Sequence, residues 1–162
     1  MDQLIDFTNL ENVLREYADY FRNRYTQELI SHDRYASGGL LESIRTRVQF
    51  GDDAYTVTVT LRNYWKYIED DTRPHWPPPQ AILRWVEIKP TIPRPYTLNG
   101  REISPKSLTY LIGRKISRVG TKGTHDMATA KEQTMDAFRQ RLKQAVGHDV
   151  VNYIRKVTPG AR

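Results

Sequence analysis

The sequence predicts an α+β fold: an antiparallel β-hairpin-based sheet packed against a long N-terminal helix, with further helices in the C-terminal half. Three observations carry this. Apolar residues recur every three or four positions over 9–30, the period changes to two over 44–61, and helical spacing returns with capping residues after Pro79. A chain of 162 residues fits one domain. One domain over 1–162 is the expected organisation, with the last helix, about 128–157, as an interaction arm.

The first helix, 9–30, presents Leu10, Val13, Leu14, Tyr17, Tyr20, Phe21, Tyr25 and Leu29 on one face, and Thr8 or Asn9 can cap its start. Ala36-Ser37-Gly38-Gly39 breaks it, and Ser37 can cap a short helical turn through Leu40 and Leu41. Ile44, Thr46, Val48 and Phe50 then alternate with Arg45, Arg47 and Gln49. Gly51-Asp52-Asp53 supplies a turn, and Tyr55, Val57, Val59 and Leu61 alternate with three threonines, so a hairpin with one buried face is expected.

An aromatic stretch, Asn63 to Glu69, leads into the loop Asp70 to Pro79 with three consecutive prolines, Pro77, Pro78 and Pro79. Such a run favours polyproline II, and Pro79 suits the first position of a helix carrying Ile82, Leu83, Trp85 and Val86. Trp65, Tyr67, Trp76 and Trp85 are expected to cluster around this loop and stiffen it. Pro90, Pro93 and Pro95 stop the helix and hold an extended loop through Asn99-Gly100. Ser104-Pro105 begins the next helix, with Leu108, Leu111, Ile112, Ile116 and Val119 inward and Gly120 at its end. Thr121 to Met127 reads as a mobile loop before the last helix, which Gly147 is placed to kink.

The chemistry of common sites is missing. There are no cysteines, which excludes disulfides and thiolate chemistry, and no apolar run is long enough to span a membrane. The N-terminus has no basic segment followed by an apolar run, so no signal peptide is read there. His32, His75, His125 and His148 have no zinc-site spacing, and Glu69-Asp70-Asp71 is expected to be a solvated loop or an intersubunit contact. No nucleophile elbow or phosphate loop occurs. No catalytic residue, metal or cofactor is therefore expected.

Charge is unevenly spread. Residues 1–72 carry 8 basic and 13 acidic side chains, 73–162 carry 17 and 6, and the whole has a net charge of +6. Either the two parts attract copies of the chain or nucleic acid, or they interleave on folding. The basic stripe of Arg114, Lys115 and Arg118 with Lys122 is the candidate interaction surface, together with Trp65, Trp76, Pro77, Pro78 and Pro79.

The order of motifs carries a resemblance. An amphipathic helix, then Ala36-Ser37-Gly38-Gly39-Leu40-Leu41-Glu42-Ser43-Ile44, a hairpin, Asn63-Tyr64-Trp65-Lys66-Tyr67-Ile68-Glu69-Asp70 and a proline loop follow one another. Later comes Ile112-Gly113-Arg114-Lys115-Ile116-Ser117-Arg118-Val119-Gly120-Thr121-Lys122-Gly123. This resembles the head–tail joining or tail-completion (neck) proteins of tailed bacteriophages over roughly residues 10–123. It departs at Asp71, where many relatives carry glycine.

The resemblance implies a structural, non-enzymatic virion subunit, assembled in the host cytoplasm. Its expected partners are copies of itself in a ring, the portal or adaptor and tail proteins, and packaged DNA through non-specific contact, with no membrane. The rival readings are a sequence-independent DNA-binding protein, and an enzyme with an unrecognised site.

Overall fold

Helix-forming and strand-forming segments fall where their periodicities place them. The computed structural model describes residues 5–51, 54–89 and 91–158. The elements in order are α1 (Thr8–Ser31), α2 (Gly39–Ser43), β1 (Arg45–Phe50), β2 (Tyr55–Thr60), a 3-10 turn (Asn63–Trp65), α3 (Lys66–Glu69), α4 (Pro79–Ile88), β3 (Thr97–Leu98), β4 (Arg101–Glu102), α5 (Pro105–Val119) and α6 (Asp126–Val157). The fold is α+β, as expected. The chain divides into two units that alternate along the sequence: Met1–Gln27, Ile44–Thr60 and Met127–Arg162 form one, Glu28–Ser43 and Leu61–Asp126 the other.

In the first unit α1 and α6 supply most of the core. Tyr17, Ala18, Phe21 and Tyr25 are buried along α1, and Ala130, Thr134, Phe138 and Ala145 along α6. The Phe138 ring meets Tyr17 edge-on at 5.6 Å between centroids and Tyr20 at 5.5 Å. Such pairs contribute about 0.5–1.5 kcal/mol beyond the area they bury. Up to Asp149, then, α6 packs within its unit. Beyond that point Val151, Ile154 and Val157 are exposed. The helix runs through Gly147 without a break.

The start of α1 is closed by a residue the sequence does not point to. The buried Asp149 carboxylate accepts the backbone N–H of Asn9 at 3.1 Å and of Leu10 at 2.9 Å, and the Asn9 side-chain amide at 2.6 Å. An anion here satisfies orphan donors and meets the positive end of the helix dipole. Thr8 instead bonds back to Asp6, and Asn9 is a donor, so the expected local cap is replaced by one from α6.

The hairpin has the expected alternation. β1 pairs antiparallel with β2 from Arg45↔Thr60 to Phe50↔Tyr55. Tyr55, Val57 and Val59 are half-buried while Thr56, Thr58 and Thr60 are exposed. Its inner face meets α1 and the segment before it: Phe7 packs edge-on to Tyr55, and the Arg15 guanidinium lies 4.7 Å over the Phe50 ring. The turn was expected at Gly51-Asp52-Asp53; Asp52 and Asp53 lie outside the described residues, and Gly51 N–H donates to Ala54 O.

The second unit pairs α4 with α5. Pro79 opens α4, and Ser104 caps α5 by accepting the Ser107 N–H at 3.1 Å. The helix α4 ends at Ile88 before Pro93 and Pro95, while Pro90 lies outside the described residues. The segment expected as an extended loop holds a second small hairpin, β3 with β4, turning through Asn99 and Gly100, both at positive φ. Asn-Gly is a strong hairpin signal.

The acidic and basic sequence halves interleave: Glu16 of α1 pairs with Arg141 of α6, and Asp33 with Lys89. Among the described residues no helix is long and apolar enough to cross a membrane.

Replacing Asp149 with Ala should lower stability by about 1.5–3 kcal/mol, the range for hydrogen bonds to a charged group. The change Gly147→Ala, in a helix with nothing within 4 Å of the added Cβ, should raise stability by about 0.5–1 kcal/mol. Urea denaturation of both variants checks the pair.

Candidate functional site

Two segments some fifty residues apart in sequence fasten to each other in the second unit. Thr72 and Thr121 form an antiparallel bridge, with the Thr72 N–H donating to Thr121 O at 2.9 Å. The Gly123 N–H donates to the Asp71 carboxylate at 2.8 Å, Thr124 N–H to Ile68 O at 3.0 Å, and His125 N–H to Glu69 O at 3.3 Å. The backbones come so close that a Cβ on Gly120 would lie 1.9 Å from Thr72 O, and one on Gly123 2.1 Å from Glu69 O. Only glycine fits at both positions.

This clasp corrects two expectations. The segment Thr121 to Met127, expected as a mobile loop, is tied down from Thr121 to His125. The acidic run Glu69-Asp70-Asp71 is only partly solvated: Glu69 is buried, Asp71 is a clasp acceptor, and Asp70 is exposed. Asp71 is not at positive φ, so it serves as an acceptor without a left-handed turn.

Beyond the clasp, α5 presents its outer face. Lys106, Tyr110, Arg114 and Arg118 are exposed at four-residue steps, with Lys115 beside them and Lys122 following. At 1.5 Å per residue this ridge is about 18 Å long. Among the described residues none of these cations forms an ion pair. The sequence-predicted Arg114, Lys115, Arg118 and Lys122 are all exposed and unpaired, with Arg114 and Arg118 on one ridge of α5. Lys106 and Tyr110 belong to it as well, and their spacing with Arg114 could have revealed them.

The proline loop lies against this ridge. Trp76 is 51% exposed, and its ring centroid is 5.9 Å from that of Tyr110. Pro77 is buried, while Pro78 and Pro79 are exposed. Trp76, Pro77, Pro79, Ile82, Leu83 and Tyr110 line most of a groove of about 240 Å³, with Lys106 at its edge. The four aromatics expected to cluster do not meet: among the described residues Trp65, Tyr67 and Trp85 form no ring pair. Trp65 is half-buried, Trp85 lies over the Lys89 ammonium, and Tyr67 is 70% exposed.

Side chains of metal-ligating type converge at one place among the described residues. Glu28, His32 and Asp126 bring a ligand atom each within 4.8 Å. No two histidines have zinc-site spacing; the i, i+4 spacing of Glu28 and His32 was the available signal, while Asp126 arrives from the far side of the clasp. Both Asp126 oxygens are engaged, by His32 Nδ1 at 2.6 Å and by the Thr124 hydroxyl at 2.6 Å. The cluster ties α1 to the clasp within this unit.

A second polar knot surrounds Lys89. The buried ammonium donates to Asp33 O at 2.7 Å and Tyr35 O at 3.0 Å, and pairs with the Asp33 carboxylate at 2.9 Å. Hydrogen bonds from Lys89 and then Thr91 hold the Asp33 carboxyl below the usual carboxylate range.

Comparison with protein families, with curated proteins and with solved structures finds no match to the chain.

Gly123→Ala and Gly120→Ala should each cost more than about 2 kcal/mol, since backbone must move to admit the Cβ. Gly113→Ala, whose Cβ would meet Trp76 at an ordinary 3.7 Å, should change stability far less. Thermal unfolding of the three variants decides it.

The lowered Asp33 carboxyl has a pH signature. Its stabilisation is full above the unfolded carboxyl's range and is lost as pH falls below about 4, through the folded value. The stability difference between the wild type and Asp33→Asn should therefore shrink on acidification, which denaturant titration across that range measures.

Proposed function

We propose that this chain is a non-enzymatic structural subunit of the tailed-phage neck, one copy of a ring joining head to tail in the virion. The observation that carries the reading is the clasp. The two segments at the centre of the resemblance, 63–70 and 112–123, are coupled through 68–72 and 120–125, with Gly120 and Gly123 required at the contact. A shared motif order thus has a packing reason, which supports the likeness beyond short strings of residues.

A second feature supports an assembling subunit. Unpaired cations and exposed aromatics sit together on α5 and the proline loop, and Tyr, Trp and Arg are the residues that dominate protein interfaces. The neighbours proposed are further copies, then portal-side and tail proteins. Sequence-independent DNA binding is the rival, favoured by the same unpaired cations, since phosphate contacts need only charge. It predicts tight duplex binding by the monomer with a steep salt dependence.

Arg114→Glu with Arg118→Glu tests the reading. Stability should change by less than about 0.5 kcal/mol per site, as for other surface changes. Ring formation, or docking on the neck, should be lost when particles are imaged by electron microscopy. Particles that assemble normally but fail to retain DNA would show instead that the ridge lines a DNA channel.

A further inference from the structure

The groove beside α5 has a counterpart on the same unit. Tyr67 on α3 is 70% exposed and, among the described residues, makes no side-chain hydrogen bond or ring contact. Tyr64, 39% exposed, precedes it by three positions, and the exposed Asp70 follows it by three. Steps of three through a 3-10 turn and the short α3 are the spacing of one helical face, from which we read an aromatic knob with an acidic edge. The backbone beneath it is fixed, because Ile68 O and Glu69 O accept clasp hydrogen bonds from Thr124 and His125.

The groove carries the complementary chemistry. Its walls are Trp76, Tyr110, prolines and aliphatic side chains; the exposed, unpaired Lys106 lines it, and the exposed, unpaired Arg114 follows Tyr110 one turn further along α5. We propose that the knob of one copy docks in the groove of the next, with Tyr67 against the Trp76–Tyr110 pair and Asp70 toward Lys106 and Arg114. This rests on the ring reading above and names the faces that would form the ring.

Charge and apolar character both choose this occupant. A phosphate backbone would answer the cations but has no apolar group for the groove, whereas Tyr67 with Asp70 answers both. The two faces differ, so the contact is heterologous, and heterologous contacts extend into rings or filaments instead of stopping at a dimer. The clasp joins the strand of chain after the knob to the end of α5, which keeps the two faces in fixed relation within the unit.

The absence of cysteine allows a direct test. Lys66→Cys, beside the knob, and Gln80→Cys, lining the groove, are introduced together into the full chain and joined with a short bis-maleimide. A ladder of dimers, trimers and higher species is expected, lost on adding Tyr67→Ala. Asp70→Lys and Lys106→Asp should each abolish it alone and restore it together. Circular dichroism establishes that each variant is folded. If light scattering finds the unmodified chain assembled while the double variant gives no ladder, the docking proposal is overturned and the ring reading stands. If the unmodified chain stays monomeric at every concentration, both fail. A short DNA duplex that protects Lys106 from acetylation and Arg114 from phenylglyoxal, with no ladder formed, would replace the docking proposal with the DNA reading.

Discussion

The close approach of two backbones, at Gly120 against Thr72 and Gly123 against Glu69, is the constraint on which the second unit depends. Without side chains at 120 and 123, Thr72 and Thr121 can bridge, and Ile68, Glu69 and Asp71 can accept from the loop before α6. That contact sets where α3 ends, where α5 stops and where Asp126 meets His32. Loops normally order only when their backbone groups find partners, because fixing each residue costs about 1–2 kcal/mol of conformational entropy. Here the partners are supplied by the opposing segment, so a stretch rich in glycine and threonine is held in place.

Local signals in the sequence placed most elements, although Val119, expected inward on α5, is 67% exposed at the helix end. Alternation over 44–61 placed Ile44, Thr46, Val48 and Phe50 inward on one strand, and on the other Val57 and Val59 inward with Thr56, Thr58 and Thr60 outward, as a strand's period of two requires against a buried face. Ser104, Pro105 and Gly120 bounded α5, and Pro79 opened α4. The hairpin at Asn99-Gly100 was legible too, but neighbouring prolines drew the reading toward an extended loop. Contacts between distant segments were not legible. Nothing in the residues around 149 says that an aspartate there will cap a helix 140 positions earlier, and while Glu28 and His32 are neighbours by helical spacing, Asp126 joins them only through the fold.

The candidate surface was half legible for a similar reason. Counting cations finds Arg114, Lys115, Arg118 and Lys122, but charge alone does not separate a residue already paired from one that is not. Once folded, several charges elsewhere are paired: Glu16 with Arg141, Asp33 with Lys89, and Arg22 with Asp19. The cations of α5 are distinguished by having no such partner among the described residues. Glu16–Arg141 and Asp33–Lys89 join the acidic and basic sequence halves. Surface ion pairs such as Glu16–Arg141 and Asp19–Arg22 contribute little to stability, so an unpaired ridge costs the fold little and stays available for contact.

The Asp149 cap bears on how the chain is made. The ribosome releases α1 and the hairpin early, yet the carboxylate that closes α1, and the Phe138 ring that covers Tyr17, belong to α6 and emerge much later. Contacts of such long sequence separation form slowly, since loop-closure entropy is lost before they are gained. Segments 28–43 and 61–126, by comparison, are all present before α6 is complete. During synthesis the aromatic face of α1 is thus left uncovered while the other unit already has its residues in hand. Maturation of the first unit becomes the last step of folding, and chaperone protection matters most in that interval.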